Sequence, residues 1–172
     1  MRKTNVAADP SSTFTDFYVS SKDACLRAML ASGADRAAAE DAVAEAFARA
    51  WSSWKSVSEH PAPTAWVMRV ALNHHVSRWR RRSREVAYER HHEQRAAPEV
   101  PSAVVQDEVL VRALSALPAR QREVVALRVF LDLDTTQTGE VLGIAPGTVT
   151  AHLHRAMTAL RAATTSATEN RI

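Results

Sequence analysis

The residues with chemistry to offer gather in two basic stretches that contain no acid. Between Glu59 and Glu85 there is no Asp or Glu, yet Arg69, Arg78, Arg80, Arg81, Arg82 and Arg84 all fall there. From Val141 to Arg161 there is again no acid, and His152, His154, Arg155 and Arg161 supply donors. The formal net charge is only +3. Two cationic zones on a chain otherwise near neutral suit a polyanion touched at two places.

The second zone has a frame around it. Gly139, Gly143 and Gly147 are three of only four glycines in the chain. Gly139 falls inside a helical pattern, where glycine costs about 1 kcal/mol against alanine. A helix-turn-helix accounts for that cost. Its first helix needs a small residue at the crossing, a glycine turns the chain four residues on, and a β-branched residue six further on locks the second helix. Here these are Gly139, Gly143 and Val149, with Leu142 and Ile144 plugging the small core. On the last helix Val149, Leu153, Ala156 and Leu160 point inward. Thr150, Ala151, His154, Arg155, Thr158 and Arg161 point outward, a donor-rich face suited to a major groove. The competing reading of that face is a solvated side of a plain bundle.

The first zone interleaves Trp66 and Trp79 with Arg69, Arg78 and Arg80, and Asn73, His74 and His75 lie between them. Aromatic and basic groups on one helix stack unpaired bases and follow a backbone. Trp66 also fits the apolar stripe of that helix, as a core residue. The arginine run fits a solvated face equally well.

The elements that carry these residues are helical. Alanine supplies 32 of 172 residues, glycine only 4, and aromatics 6%. That favours an all-α chain with thin cores over a β-sandwich or barrel. Ser12 or Thr13 caps a first helix to about Ala31, stopped at Gly33. Asp35 caps a second of roughly twenty residues, with Val43, Phe47, Ala50, Trp51 and Trp54 as its apolar stripe. Residues 55–63 read as a loop, broken by Ser, His and Pro. Pro63 or Thr64 starts a third helix that runs into the arginine cluster.

Residues 85–106 have linker composition, acidic and proline-containing, with room for a short helix across 88–95. Periodicity resumes at Asp107 with helices ending at Pro118 and Leu131. Asp134 caps a short helix and Pro146 opens the last one. The expected organisation is a disordered leader at 1–11, a helical domain at 12–84, a linker at 85–106, a helix-turn-helix domain at 107–165 and a tail at 166–172.

One cysteine, Cys25, excludes an internal disulfide. No stretch approaches twenty apolar residues, and the first ten are polar, so neither membrane insertion nor a signal peptide is expected. The expected location is cytoplasmic, beside the nucleoid.

With these residues in view, the chain resembles a bacterial RNA polymerase sigma factor of the extracytoplasmic-function group. The string AAEDAVAEAFARAW at 38–51 resembles the family's polymerase-binding helix. PTAWVMRVALN at 63–73 with SRWRRR at 77–82 resembles its promoter-melting helix. ALPARQREVV at 116–125 and GIAPGTV at 143–149 resemble its C-terminal domain. Together they cover most of the chain in the family's order.

The resemblance implies a protein that binds core RNA polymerase at its clamp and flap and directs initiation at promoter DNA. It would read the −35 element as duplex and capture the melted −10 element, and an anti-sigma factor would restrain it. Asp41, Glu45, Phe47 and Arg49 fall in the clamp-binding segment. Lys55, His60, Trp66, Arg69, Asn73, Arg78 and Arg80 fall in the melting segment, whose 55–63 loop would enclose an extruded base. Thr148, Thr150, Ala151, His154 and Arg155 fall at the duplex-reading positions. Ala145 departs from the family, which places a capping side chain there.

Two other functions compete. A stand-alone helix-turn-helix regulator explains the C-terminal half but leaves the arginine-rich helix and the 38–51 segment without a role. An enzyme would need a helical metal site from His74, His75, His91 and His92 with Glu40, Asp41, Glu45, Glu89 and Glu93, but the Glu-x-x-His spacing is missing. No phosphate loop or nucleophile motif occurs, so no catalysis, metal or cofactor is expected.

Overall fold

The computed structural model describes residues 10–89 and 108–169; of residues 10, 79–89, 108 and 166–169 it describes the backbone only. All regular structure among the described residues is helical, in the order α1 (Pro10–Ala31), α2 (Arg36–Ser52), α3 (Trp54–Ser58), α4 (Pro63–Glu89), α5 (Glu108–Ala116), α6 (Ala119–Phe130), α7 (Thr135–Leu142) and α8 (Pro146–Glu169). No helix among them is long and apolar enough to cross a membrane.

Local signals set most of these boundaries. The Asp35 carboxylate accepts from the Ala38 N–H at 2.8 Å, satisfying one of the donors left open at a helix start. Gly33 ends α1 with φ at +102°, a conformation that side chains with a Cβ resist. Asp134 and Gln137 form a reciprocal capping box, at 2.8 and 2.9 Å. Pro146 takes the first position of α8, where its missing N–H costs nothing.

The sequence expects a loop at 55–63, but the chain coils first into α3. The reason is tertiary. Trp54 and Val57, three residues apart, are both buried. The Trp54 indole N–H donates to the Thr13 hydroxyl at 2.9 Å, and its ring packs on Phe14 and Phe17, with centroids 5.2 and 5.1 Å away. Helix α4 also runs past the expected end at Arg84, to Glu89, and α8 runs past the expected start of the tail, to Glu169. Of the leader expected at 1–11, residues 10 and 11 already belong to α1; residues 1–9, most of the expected linker and most of the helix expected at 88–95 lie outside the described residues.

The buried stripe of α2 is Ala39, Ala42, Val43, Ala46, Phe47 and Ala50. Its small side chains let α2 lie close on the Val67, Met68 and Ala71 face of α4. The main core does not stop at the first four helices. Val124, Ala126, Leu127, Leu133, Val141, Leu142 and Val149 belong to the same cluster as Met29, Phe47 and Met68. A smaller cluster, including Leu114, Leu117, Val125 and Leu160, closes α5 over α6 and α8.

Candidate nucleic-acid interface

Helix α8 owes its position to the turn before it. Gly143 adopts φ +66° and its N–H donates to the Gly139 carbonyl. A Cβ added at Gly139 would stand 2.7 Å from the Ile144 carbonyl oxygen and 3.7 Å from Val149 Cγ2. The sequence assigns this glycine to the crossing of the second helix; the tighter neighbour is the carbonyl of the turn itself. Val149 is fully buried, as are Ala156 and, nearly, Leu160.

The opposite face of α8 is open. Thr148, Thr150, His154 and Arg155 are exposed, and Ala151 is half-buried. The Thr150 hydroxyl donates to the Pro146 carbonyl at 3.2 Å, which leaves its oxygen facing outward as an acceptor. Ala145 offers no side chain to the helix start. Its carbonyl instead accepts from Thr148 and Val149, at 2.9 and 3.1 Å.

Helix α4 presents two different faces. Arg69 and Asn73, four residues apart, are exposed together. Trp66 is half-buried against the core, which favours its packing role over a stacking platform. Arg80 lies on α4, with a side chain outside the described set. His74 and Arg78 face α2, where both bond one carboxylate oxygen of Asp41. His74 Nε2 is 3.0 Å from it, and the Arg78 guanidinium donates to it in a close contact. The Arg78 hydrogen bond, then that of His74, holds the Asp41 carboxyl below its ordinary range. A residue expected at the polymerase surface and one expected at DNA are therefore partners.

Glu45 and Arg49 pair along α2 at 2.7 Å and remain open to solvent. Phe47, expected in the clamp-binding segment, is placed differently from Glu45 and Arg49. It is 3% exposed and packs on Phe17 and Tyr18, with centroids 5.7 and 5.0 Å away. Its place on the apolar stripe carries it into the core.

At the C-terminal end of α2 and along α3 an open cavity of about 550 Å³ is lined by Trp51, Ser52, Ser53, Trp54, Lys55, Ser56 and Glu59. Lys55 is thus at the cavity. His60 is not, because its Nδ1 accepts from the Ala62 N–H at 3.0 Å and secures the approach to α4. Trp51 is the residue that sequence reasoning missed. It sits on the same apolar stripe as Phe47, yet it is 50% exposed, with its ring tilted on Phe14 at 5.0 Å. No sequence signal separates the two; Phe47 meets Phe17 and Tyr18 of α1, whereas Trp51 meets Phe14.

Known proteins share this arrangement. Residues 20–85 match the family described as sigma-70 region 2, and residues 107–160 match sigma-70, region 4. The chain is 30% identical over 156 residues to an RNA polymerase sigma-E factor of Streptomyces antibioticus, covering 86% of this chain and 82% of that one. It is 33% identical over 132 residues to the extracytoplasmic-function (ECF) RNA polymerase sigma factor SigL of Mycobacterium tuberculosis, covering 74% and 75%. Among solved structures, the sigma factor RpoE of Bartonella quintana, in complex with the anti-sigma factor NepR, superposes with a TM-score of 0.70 at 26% identity, over 90% of this chain and 98% of that one. CnrH, in complex with the cytosolic domain of CnrY, shares the fold at a TM-score of 0.64 and 22% identity, over 91% and 90%. On these matches and this two-part architecture, the chain belongs to the extracytoplasmic-function group of the sigma-70 family of RNA polymerase sigma factors.

Proposed function

We propose that this sigma factor divides promoter recognition between the exposed faces of α8 and α4. Thr148, Thr150, Ala151, His154 and Arg155 read the −35 element as duplex. Arg69 and Asn73, with Arg78 and Arg80 further along the helix, guide the non-template strand of the −10 element. The cavity at Trp51 and Lys55 receives an extruded base, whose unstacking costs a few kcal/mol that pocket contacts must offset. Asp41, Glu45 and Arg49 meet the polymerase clamp. The halves at 12–84 and 107–165 act as separate modules joined through 85–106, so selectivity comes from engaging both. The protein acts by binding rather than catalysis, in the cytoplasm beside the nucleoid. An anti-sigma factor holds it in reserve, as NepR is bound to the Bartonella relative.

The observation that carries this reading is the exposed donor face of α8 between Thr148 and Arg161, a stretch without acid, set on a buried Val149, Ala156 and Leu160. Arg155→Ala tests it. Affinity for a −35 duplex should fall by about 1–3 kcal/mol if the guanidinium contacts a base, and core polymerase should bind the variant as it binds the wild type. Unchanged duplex affinity would remove Arg155 from the reading face.

A further inference from the structure

Helix α4 turns one pair of donors away from Arg69 and Asn73. At about 100° per residue, Arg78 stands about 180° around the helix from Arg69 and about 140° from Asn73. His74 and Arg78, four residues apart, face α2 together, and both end on one atom of Asp41. His74 Nε2 lies 3.0 Å from Oδ2, and the Arg78 guanidinium donates to the same Oδ2 in a close contact. Among the described residues none donates to Oδ1. One oxygen of the carboxylate is therefore held, and the other is left to accept.

The neighbouring acids of α2 are used differently. Glu40 pairs with Arg36 at 2.9 Å and Glu45 with Arg49 at 2.7 Å, each along the helix itself on long side chains open to water. Pairs of that kind hold no fixed geometry firmly. The Asp41 side chain is short, and donors from a second helix set where it points. Beside it lies an open groove of about 310 Å³, lined also by the small side chains of Ala37 and Ala38, by Asp35 and by His75. Asp35 uses only Oδ1 on the Ala38 N–H. Burial pushes the His75 imidazole below its ordinary value, toward the neutral form. With both imidazoles neutral, the groove sets two carboxylates against one guanidinium, a balance that favours an incoming cation.

The geometry points to the α2–α4 groove as a socket for a cationic side chain of the polymerase clamp, with Asp41 Oδ1 as its acceptor. His74 and Arg78 are positioning residues that act through Asp41. An acceptor fixed in advance spares the ordering that binding would otherwise require, which is worth about two- to tenfold in affinity. The inference rests on the clamp contact of Asp41 proposed above, and it gives Arg78 a polymerase-side role besides its place along α4.

Binding of the full-length protein to core polymerase tests it, read as dissociation constants by competition. Asp41→Ala should weaken binding about tenfold or more, because the incoming cation loses its acceptor. Arg78→Ala should weaken it about three- to fivefold. Arg78→Lys should restore it to within about twofold, since the contact uses a single donor. In the Asp41→Ala background neither Arg78→Ala nor His74→Ala should change binding further by more than about twofold. Each variant should keep its melting temperature and its affinity for a −35 duplex, because the partners are half exposed and lie in the other half of the chain. Wild-type binding by Arg78→Ala beside impaired Asp41→Ala would overturn the inference and leave the clamp contact standing. So would a loss that Arg78→Lys does not restore, or a loss of equal size in the Asp41→Ala background. Wild-type binding by Asp41→Ala would overturn the clamp contact of Asp41 and the inference with it.

Discussion

The two faces proposed to meet nucleic acid are built in opposite ways. The α8 face is set by its neighbours in sequence. Gly139, Gly143, Pro146 and Val149 span eleven residues and determine the turn, the close approach and the inward face together. The N-terminal site is assembled from distant pieces. Asp41 meets His74 and Arg78 from 33 and 37 residues away. The cavity at Trp51 and Lys55 depends on Trp54 being anchored to Thr13, 41 residues back. A locally coded face tolerates change elsewhere in the chain, whereas an assembled one depends on the packing beneath it.

The largest expected effect exploits that dependence. Phe47→Ala empties the centre of the Phe17–Tyr18–Phe47 cluster and should cost about 3–5 kcal/mol of stability. Thermal denaturation should show the loss, and polymerase binding should weaken only in step with unfolding. A variant that kept its wild-type melting temperature yet failed to bind polymerase would return Phe47 to the contact surface and break the contrast between the faces.

A smaller effect sharpens the comparison at Asp41. Its carboxyl is held below the ordinary 3.8. A group depressed on folding contributes stability that is present above its unfolded value and lost as pH falls through its folded one. The Asp41 pair should therefore be intact at neutral pH and fail only below about pH 4. The stability at stake is small, because the partners are about half exposed and solvent screens them. Titration followed by carboxyl NMR should show Arg78→Ala moving Asp41 upward, and His74→Ala moving it less. No movement in either variant would mean that α2 and α4 are not clasped there.

What the sequence disclosed follows the same division. The caps at Asp35 and Asp134, the stop at Gly33 and the inward residues of α8 were all legible, because each signal lies within a few residues of its effect. Helix α3 was not, since Trp54 and Val57 are helical for the sake of partners on α1. Nor was the burial of Phe47 beside the exposure of Trp51, as one periodic stripe holds both. Gly33 was legible as a helix stop, but its second role was hidden: the guanidinium it accommodates comes from Arg122, 90 residues beyond Ser32. The Ser32 carbonyl that Arg122 caps is visible only once the two halves are placed together.

The central claim is that α8 reads duplex while α4 serves the melted strand. Permanganate footprinting of complexes formed with core polymerase on one promoter tests it most directly, with Asn73→Ala compared to Arg155→Ala. Asn73→Ala should protect the −35 region as wild type does but lose the reactivity of melted thymines near −10. Arg155→Ala should need more protein to form complexes, and those that form should melt normally. Normal melting by Asn73→Ala, or melting lost by Arg155→Ala at full occupancy, would contradict the assignment of the two faces.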